Sequence, residues 1–281
     1  MGRLFQQITS PENINRAWKR LHNDDAPWQV GINAQELQSN LLQHLLQLVD
    51  EMRSHRYYPD RLRQFPHKKA DGKDRVITAL TLRDKLAQRL VLNILEPIGE
   101  GIFHVDSYAY RPQRSTQMAV SKARERVRCG LTWLIHADVE SFFDRIPHSR
   151  LEPLLRRYIR DRQVRRIMRL WLRNHSLHNA LFDGRRGIPQ GATISPFLCN
   201  LYLDIFDRAL VNKGITFVRF ADDFLLFATS KDKANLALEY AEQQLKLLQL
   251  TLKHSKTRIA GPGTEMIFLG ERIVIPVVKD V

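Results

Sequence analysis

Cysteine is nearly absent, with only Cys129 and Cys199 in 281 residues. Two thiols cannot build a disulfide framework, and these two lack the spacing of a zinc site. Both are expected to be reduced core thiols of a cytosolic protein. Long hydrophobic runs are missing too. No apolar stretch approaches the roughly 20 residues that span a bilayer, and the opening MGRLFQQITS has no apolar centre of the secretory-signal kind. Gln6 stands where a myristoylation signal wants Ser or Thr. No membrane partner is expected. Repeats, low-complexity tracts and Gly/Ser linkers are also absent, so no clean two-domain cut is marked.

Acidic charge is the remaining shortage. Lys and Arg number 44 against 30 Asp and Glu, leaving a net charge of +14. This imbalance suits a polyanion, with nucleic acid ahead of an acidic membrane surface. The 43% hydrophobic content suffices for a substantial core, in one large domain or two packed subdomains.

Helix and strand patterns alternate irregularly, which indicates an α+β fold. Leu37, Leu41, Leu45, Leu48 and Met52 recur at helical spacing, predicting one helix from Asn33 to about Ser54 with an Asn33/Glu36 capping box. Residues 62 to 80 suggest a two-stranded ribbon around Asp71-Gly72, with Lys68, Lys69, Lys73 and Arg75 at its tip. Thr81 can cap a helix that runs to Glu96, before Pro97. Residues 133 to 139 read as a strand. Residues 149 to 173 read as one or two helices with nine arginines, either a solvated face or a nucleic-acid groove. A hairpin is expected at 178 to 188 around Asp183-Gly184, and a helix from Ser195 to about Val211. Leu236, Tyr240, Leu245 and Leu248 should face inward from a helix over 232 to 250, and a last hairpin should turn at Gly270-Glu271.

One stretch is chemically unusual. FVRFADDFLLFA places Asp222 and Asp223 side by side between apolar strands. Neighbouring buried carboxylates repel in a low dielectric and need a cation to stay ionised. A hairpin turn can direct both to one region, and Mg²⁺ suits a few carboxylate oxygens while keeping positions for substrate phosphates. One more acid on a neighbouring strand would permit a two-metal site for phosphoryl transfer. Asp138, ending the apolar strand WLIHA, is the best candidate, and Asp144 the rival. A salt bridge to Arg219 is the bland alternative for the pair.

Other segments then fall into one order. TLRDKLAQRLVLNILEPI with SYAYRPQRST, LIHADVESFFDRIPH, GIPQGATISPFLCNLYLDIFD, FVRFADDFLLF, LKHSKTRI and IFLG resemble successive blocks of the reverse transcriptases, specifically bacterial ones like those of group II introns. The resemblance runs from about residue 62 to 270. It implies a right-hand polymerase: an N-terminal helical extension (1–61), fingers (62–132) and a palm with an antiparallel sheet (133–281). It also implies RNA-directed DNA synthesis with two Mg²⁺ ions, or Mn²⁺ as substitute. Asp138 and Asp222 would bind metal directly and Asp223 less directly, with Val139 among the metal-binding positions. Lys69 and Arg75 would hold the triphosphate, with Lys68 and Lys73 beside them on nucleic acid; Phe143 would exclude a ribose 2′-hydroxyl. Gln190 would contact the incoming nucleotide, and Lys256 would protonate or steady pyrophosphate. Arg111 would touch template or nucleotide and Arg114 nucleic acid, although a structural salt bridge is nearly as good a reading of Arg111.

Typical relatives continue into a helical thumb, whereas only ERIVIPVVKDV follows IFLG here. A thumb is thus expected to be absent or very short, and a structured non-coding RNA, a partner protein or a second copy should confine the duplex. That would suit a bacterial cytoplasmic enzyme of antiviral defence or CRISPR adaptation. The remaining partners would be an RNA template, dNTPs and the DNA product. Competing readings are RNA-templated RNA synthesis, which Phe143 opposes, and a silent RNA-binding scaffold, which three retained acids oppose.

Overall fold

Hydrophobic periodicity resolves, in a computed structural model that describes residues 2–32, 34–68, 74–179 and 185–277, into eleven α-helices and eight strands among the described residues. The chain forms two compact units, each built from two separate stretches of sequence. The first comprises Met1–Gly99 and Pro147–Leu198, and the second Glu100–Ile146 and Cys199–Val281. Because each unit is discontinuous in sequence, no linker composition marks it.

The first unit begins with α1 (Arg3–Ile8), α2 (Pro11–Lys19), α3 (Ala34–Ser39) and α4 (Leu41–Arg53). The single helix expected over 33 to 54 is therefore two. At Asn40 the backbone leaves helical geometry (φ −125°) and its side-chain amide donates to the Glu36 carbonyl. Such local side-chain bonding competes with the helical ladder. Asn33, half of the expected capping box, lies outside the described residues. The ribbon appears as β1 (Arg63–Lys68) paired antiparallel with β2 (Asp74–Ala79); Asp71-Gly72, Lys69 and Lys73 lie outside the described residues.

Helix α5 (Leu82–Glu100) starts as expected, with Thr81 Oγ1 accepting from the Asp84 amide at 3.4 Å. It does not stop at Glu96, because Pro97 lies inside it. Proline removes the amide that would bond the carbonyl four residues earlier. That carbonyl, on Asn93, accepts from Arg16 Nη2 at 3.4 Å instead. The arginine-rich stretch forms α8 (His148–Tyr158) and α9 (Arg162–Asn179), after α6 (Thr116–Arg128), β3 (Trp133–Asp138) and α7 (Phe142–Arg145) of the second unit. Since α9 continues to Asn179, residues 178 and 179 are helical rather than the start of a hairpin; Asp183-Gly184 lies outside the described residues.

The second unit is organised around one antiparallel sheet. Helix α10 (Ser195–Asn212) leads to β4 (Thr216–Phe220) and β5 (Asp223–Ala228), then to α11 (Lys231–Leu247) and β6 (Arg258–Ala260). The strand order is β4-β5-β3-β6, so β5 and β3 are central. A separate hairpin pairs β7 (Glu265–Phe268) with β8 (Glu271–Val274). Its turn is Leu269-Gly270, one residue earlier than expected, with both residues at positive φ.

Alternation along the strands assigns the two sheet faces. Leu134, Val218, Leu225 and Phe227 share a core with Ala119, Val120, Ala123 and Val127 of α6 and with Met266, Phe268 and Ile273 of the hairpin. On the opposite face Phe224 meets Phe206 of α10 edge-on. Helix α11 presents Ala234, Ala237, Ala241 and Leu245 inward, a small-residue stripe, whereas Leu236 is exposed, contrary to expectation. Cys199 is buried in α10, but Cys129, at the C-cap of α6, is exposed and is no core thiol.

Candidate active site

The apolar flanks of the aspartate pair form β4 and β5, and Phe220 pairs with Asp223. Only Ala221 and Asp222 remain for the turn. Ala221 adopts φ +59°; positive φ at the first turn residue alone is the type II′ pattern that matches strand twist. A Cβ in that region costs on the order of 1 kcal/mol. Arg219 holds the turn: its Nη1 donates to the Ala221 carbonyl at 2.9 Å. The same fully buried guanidinium bonds Asp207 through Nε at 2.7 Å and Nη2 at 2.5 Å, and Asn200 at 3.1 Å. Arg219 is thus occupied by Asp207 of α10, and the salt bridge considered for Asp222 and Asp223 is not made.

The turn separates the two carboxylates. Asp222 belongs to the loop and Asp223 opens β5 directly opposite Asp138, the last residue of β3. The Val139 amide donates to the Asp222 carbonyl at 3.2 Å, and the Lys253 amide to the Asp138 carbonyl at 2.8 Å, so backbone bonds fix β3 on both sides. After Lys253 a 3-10 turn (His254–Lys256) brings Lys256 back, and its Nζ donates to Asp138 Oδ2 at 2.9 Å.

Electrostatics follow the placement. Burial, then the nearby Asp138 and Asp223 charges, push the half-buried Asp222 carboxyl up to about 6, against the pull of its own backbone amide and of Lys256. The hydrogen bond and charge of Asp138 raise the Lys256 ammonium. A carboxyl surrounded by carboxyls favours a cation. Among the described residues no three His, Cys, Asp or Glu side chains already converge as a metal cage. Magnesium does not need one, because one or two carboxylates plus substrate phosphates suffice. Asp138 and Asp222 fit that requirement.

His136 was not anticipated by the sequence. It lies two residues before Asp138, and its Nε2 meets Asp223 Oδ1 at 2.6 Å. The signal was available: in WLIHAD, alternation puts the polar His136 on the face that carries Asp138.

Other expected residues divide by unit. In the second unit, Phe143 follows β3 on α7, half-buried and edge-on to buried Phe142 at 5.5 Å. The rival acid Asp144 is exposed on the same helix. Arg111 makes the salt bridge that was the alternative reading of this residue. It is buried and donates four bonds, to Glu100 at 2.8 and 2.9 Å and to the His104 and Ser107 carbonyls at 2.6 and 2.7 Å. Arg114 donates to the Val105 carbonyl and stacks on Tyr108. In the first unit, Lys68 and Arg75 lie in the ribbon strands, and the Gln190 carbonyl accepts from the Thr78 amide of β2 at 3.0 Å. Gly191 beside it has φ +98°, a conformation suited to glycine.

A hairpin turn that presents acids at the end of an antiparallel sheet, with a lysine reaching in, suits a divalent cation and the phosphates it would bind. The family model described as "Reverse transcriptase (RNA-dependent DNA polymerase)" matches residues 67–273, and the chain belongs to that family. It is 30% identical to Protein YkfC of Escherichia coli (strain K12) over 318 aligned positions, covering 97% of this chain and 83% of that one. It is 27% identical to the group II intron-encoded protein LtrA of Lactococcus lactis subsp. cremoris, over 87% of this chain but 44% of LtrA. Among solved structures, an apo telomerase of Candida tropicalis superposes with a TM-score of 0.57 at 14% identity, covering 85% of this chain and 60% of that one. The fold is that of reverse transcriptases, with mixed helices and antiparallel sheet, and the family chemistry is RNA-directed DNA synthesis. Among the described residues no helix is long and apolar enough to cross a membrane.

Proposed function

We propose that this chain extends a primer 3′-hydroxyl with deoxynucleotides on an RNA template, using Asp138 and Asp222 to hold two Mg²⁺ ions. The observation that carries the reading is the placement of Asp222 in the β4–β5 turn, next to Asp223, which faces Asp138 across β5 and β3. When bound, the metals would acidify the 3′-hydroxyl and neutralise charge on the departing pyrophosphate. Lys256, bonded to Asp138, is assigned to steady or protonate that leaving group. Phe143 is assigned exclusion of a ribose 2′-hydroxyl. Lys69 and Arg75 are assigned the triphosphate, Gln190 the incoming nucleotide, and Lys68, Lys73 and Arg114 nucleic-acid phosphates. Residues 1–61 are assigned to an N-terminal extension, 62–132 to fingers and 133–281 to palm.

The net charge of +14 supports a polyanionic partner. For the biological setting we infer a structured non-coding RNA in the bacterial cytoplasm and a role in antiviral defence, on the sequence resemblance. Sequencing RNA and DNA that co-purify with the protein tests the setting; random cellular RNA with no matching DNA would refute it. For the chemistry, purified protein should extend an annealed DNA primer on RNA only with Mg²⁺ or Mn²⁺. RNA binding without extension on any primer or cognate RNA would favour the silent scaffold.

A further inference from the structure

Asp138 and Asp223 face each other across the β3–β5 ladder. Like charges directly opposite destabilise a strand pair unless one is drawn aside. His136 lies two residues back along β3, on the face of Asp138, and so stands diagonally across from Asp223. Its Nε2 is 2.6 Å from Asp223 Oδ1, with side-chain exposures of 19% and 30%, low enough for the bond to persist against water. Phe268 packs edge-on against the imidazole at 5.9 Å and restricts the ring. The Asp138 carboxylate, meanwhile, is drawn the other way by Lys256.

The geometry points to a division within the acidic set: His136 is a positioning residue that holds the Asp223 carboxylate back along the sheet, so that of the three acids only Asp138 and Asp222 offer oxygens to metal. This rests on the metal-site reading above. It explains how three neighbouring acids remain distinct: one bonded to histidine, one to lysine, and one held in the turn. Released from His136, Asp223 becomes an additional carboxylate for a hard cation, and such cations bind more tightly as ligand charge rises.

Mn²⁺ binding to the purified full chain, read by electron paramagnetic resonance without nucleotide or nucleic acid, tests it. Asp222→Asn should weaken Mn²⁺ binding by roughly tenfold or more; if it does not, the metal-site reading itself fails. His136→Leu should tighten Mn²⁺ binding by about three- to tenfold, and the added Asp223→Asn substitution should remove that gain. His136→Asn, polar but too short to reach Asp223, should repeat the tightening, which guards against a leucine variant that does not fold. His136→Gln, whose amide can occupy the place of Nε2, should restore wild-type affinity. In steady-state extension at saturating metal, His136→Leu should lower kcat more than it changes KM for the nucleotide. Unchanged or weaker Mn²⁺ binding in folded leucine and asparagine variants, with Asp222→Asn still defective, overturns the role of His136 and leaves the metal site standing.

Discussion

Asp84 and Asp222, one in each unit, are both lifted out of the usual carboxylate range by burial, yet their surroundings are opposite. Asp84 is pushed up to about 7 by burial, with a further upward push from Asp60 and a downward pull from the Tyr57 hydrogen bond. It is fully occupied: Tyr57 Oη donates at 2.7 Å, the Asp60 amide donates at 2.7 Å, and Trp171 Nε1 in turn bonds the Tyr57 oxygen at 2.9 Å. Asp222, pushed up to about 6, has two carboxylates as charged neighbours, countered only by its own backbone amide and Lys256. A raised pKa alone therefore does not mark a site. An acid closed in by donors is a structural joint, whereas an acid grouped with acids favours an external cation.

The sharpest way to break the contrast is to remove each charge. Asp222→Asn should reduce Mg²⁺-dependent extension by at least about a hundredfold and leave the melting temperature equal or higher, because it relieves repulsion. Near wild-type extension would sink the assignment. Asp84→Ala should instead cost on the order of 3 kcal/mol of stability, by stranding the Tyr57 hydroxyl and the Asp60 amide. Denaturant melts at pH 5.5 check this, and Mn²⁺ binding by the folded fraction should not change.

Titration sharpens the same comparison. Because the folded-state pKa of Asp84 lies above its unfolded value of 3.8, the folded protein retains a proton that the unfolded chain releases. Stability from this group is fully present below about pH 4 and falls as pH rises to about 7, by on the order of 3 kcal/mol. The slope of unfolding free energy between pH 4 and 7 should flatten in Asp84→Asn; an unchanged slope would contradict the buried-acid account. The smallest effect concerns sugar choice. Phe143→Val should raise ribonucleotide incorporation relative to deoxynucleotide by roughly tenfold, and an unchanged ratio would remove the aromatic from that role.

Much of this was legible in the sequence. The hairpin at Asp222, the strand ending at Asp138 and the helix from Ser195 follow from periodicity and turn chemistry, and the ordered blocks linked them to Lys256. What was not legible depended on distant partners. Pro97 reads as a helix stop until Arg16 is found at the carbonyl it leaves unbonded. Leu236 reads as core until the alanine stripe of α11 proves to be the packed face. Arg219 looks like a partner for the Asp222–Asp223 pair, but Asp207 claims it, and Glu100, which pairs with Arg111, is likewise a partner that no local pattern names.

The clamp on the Ala221 turn also bears on how the molecule folds. Arg219 is bound through its side chain to α10 and through its backbone to Asp106 and Tyr108, about a hundred residues earlier in the chain. Closing so long a loop is slow and entropically costly. The strands can pair early, but the turn gains its support only once those distant segments have docked. The Ala221–Asp222 turn therefore has its full support only when segments far apart in the chain are in place together.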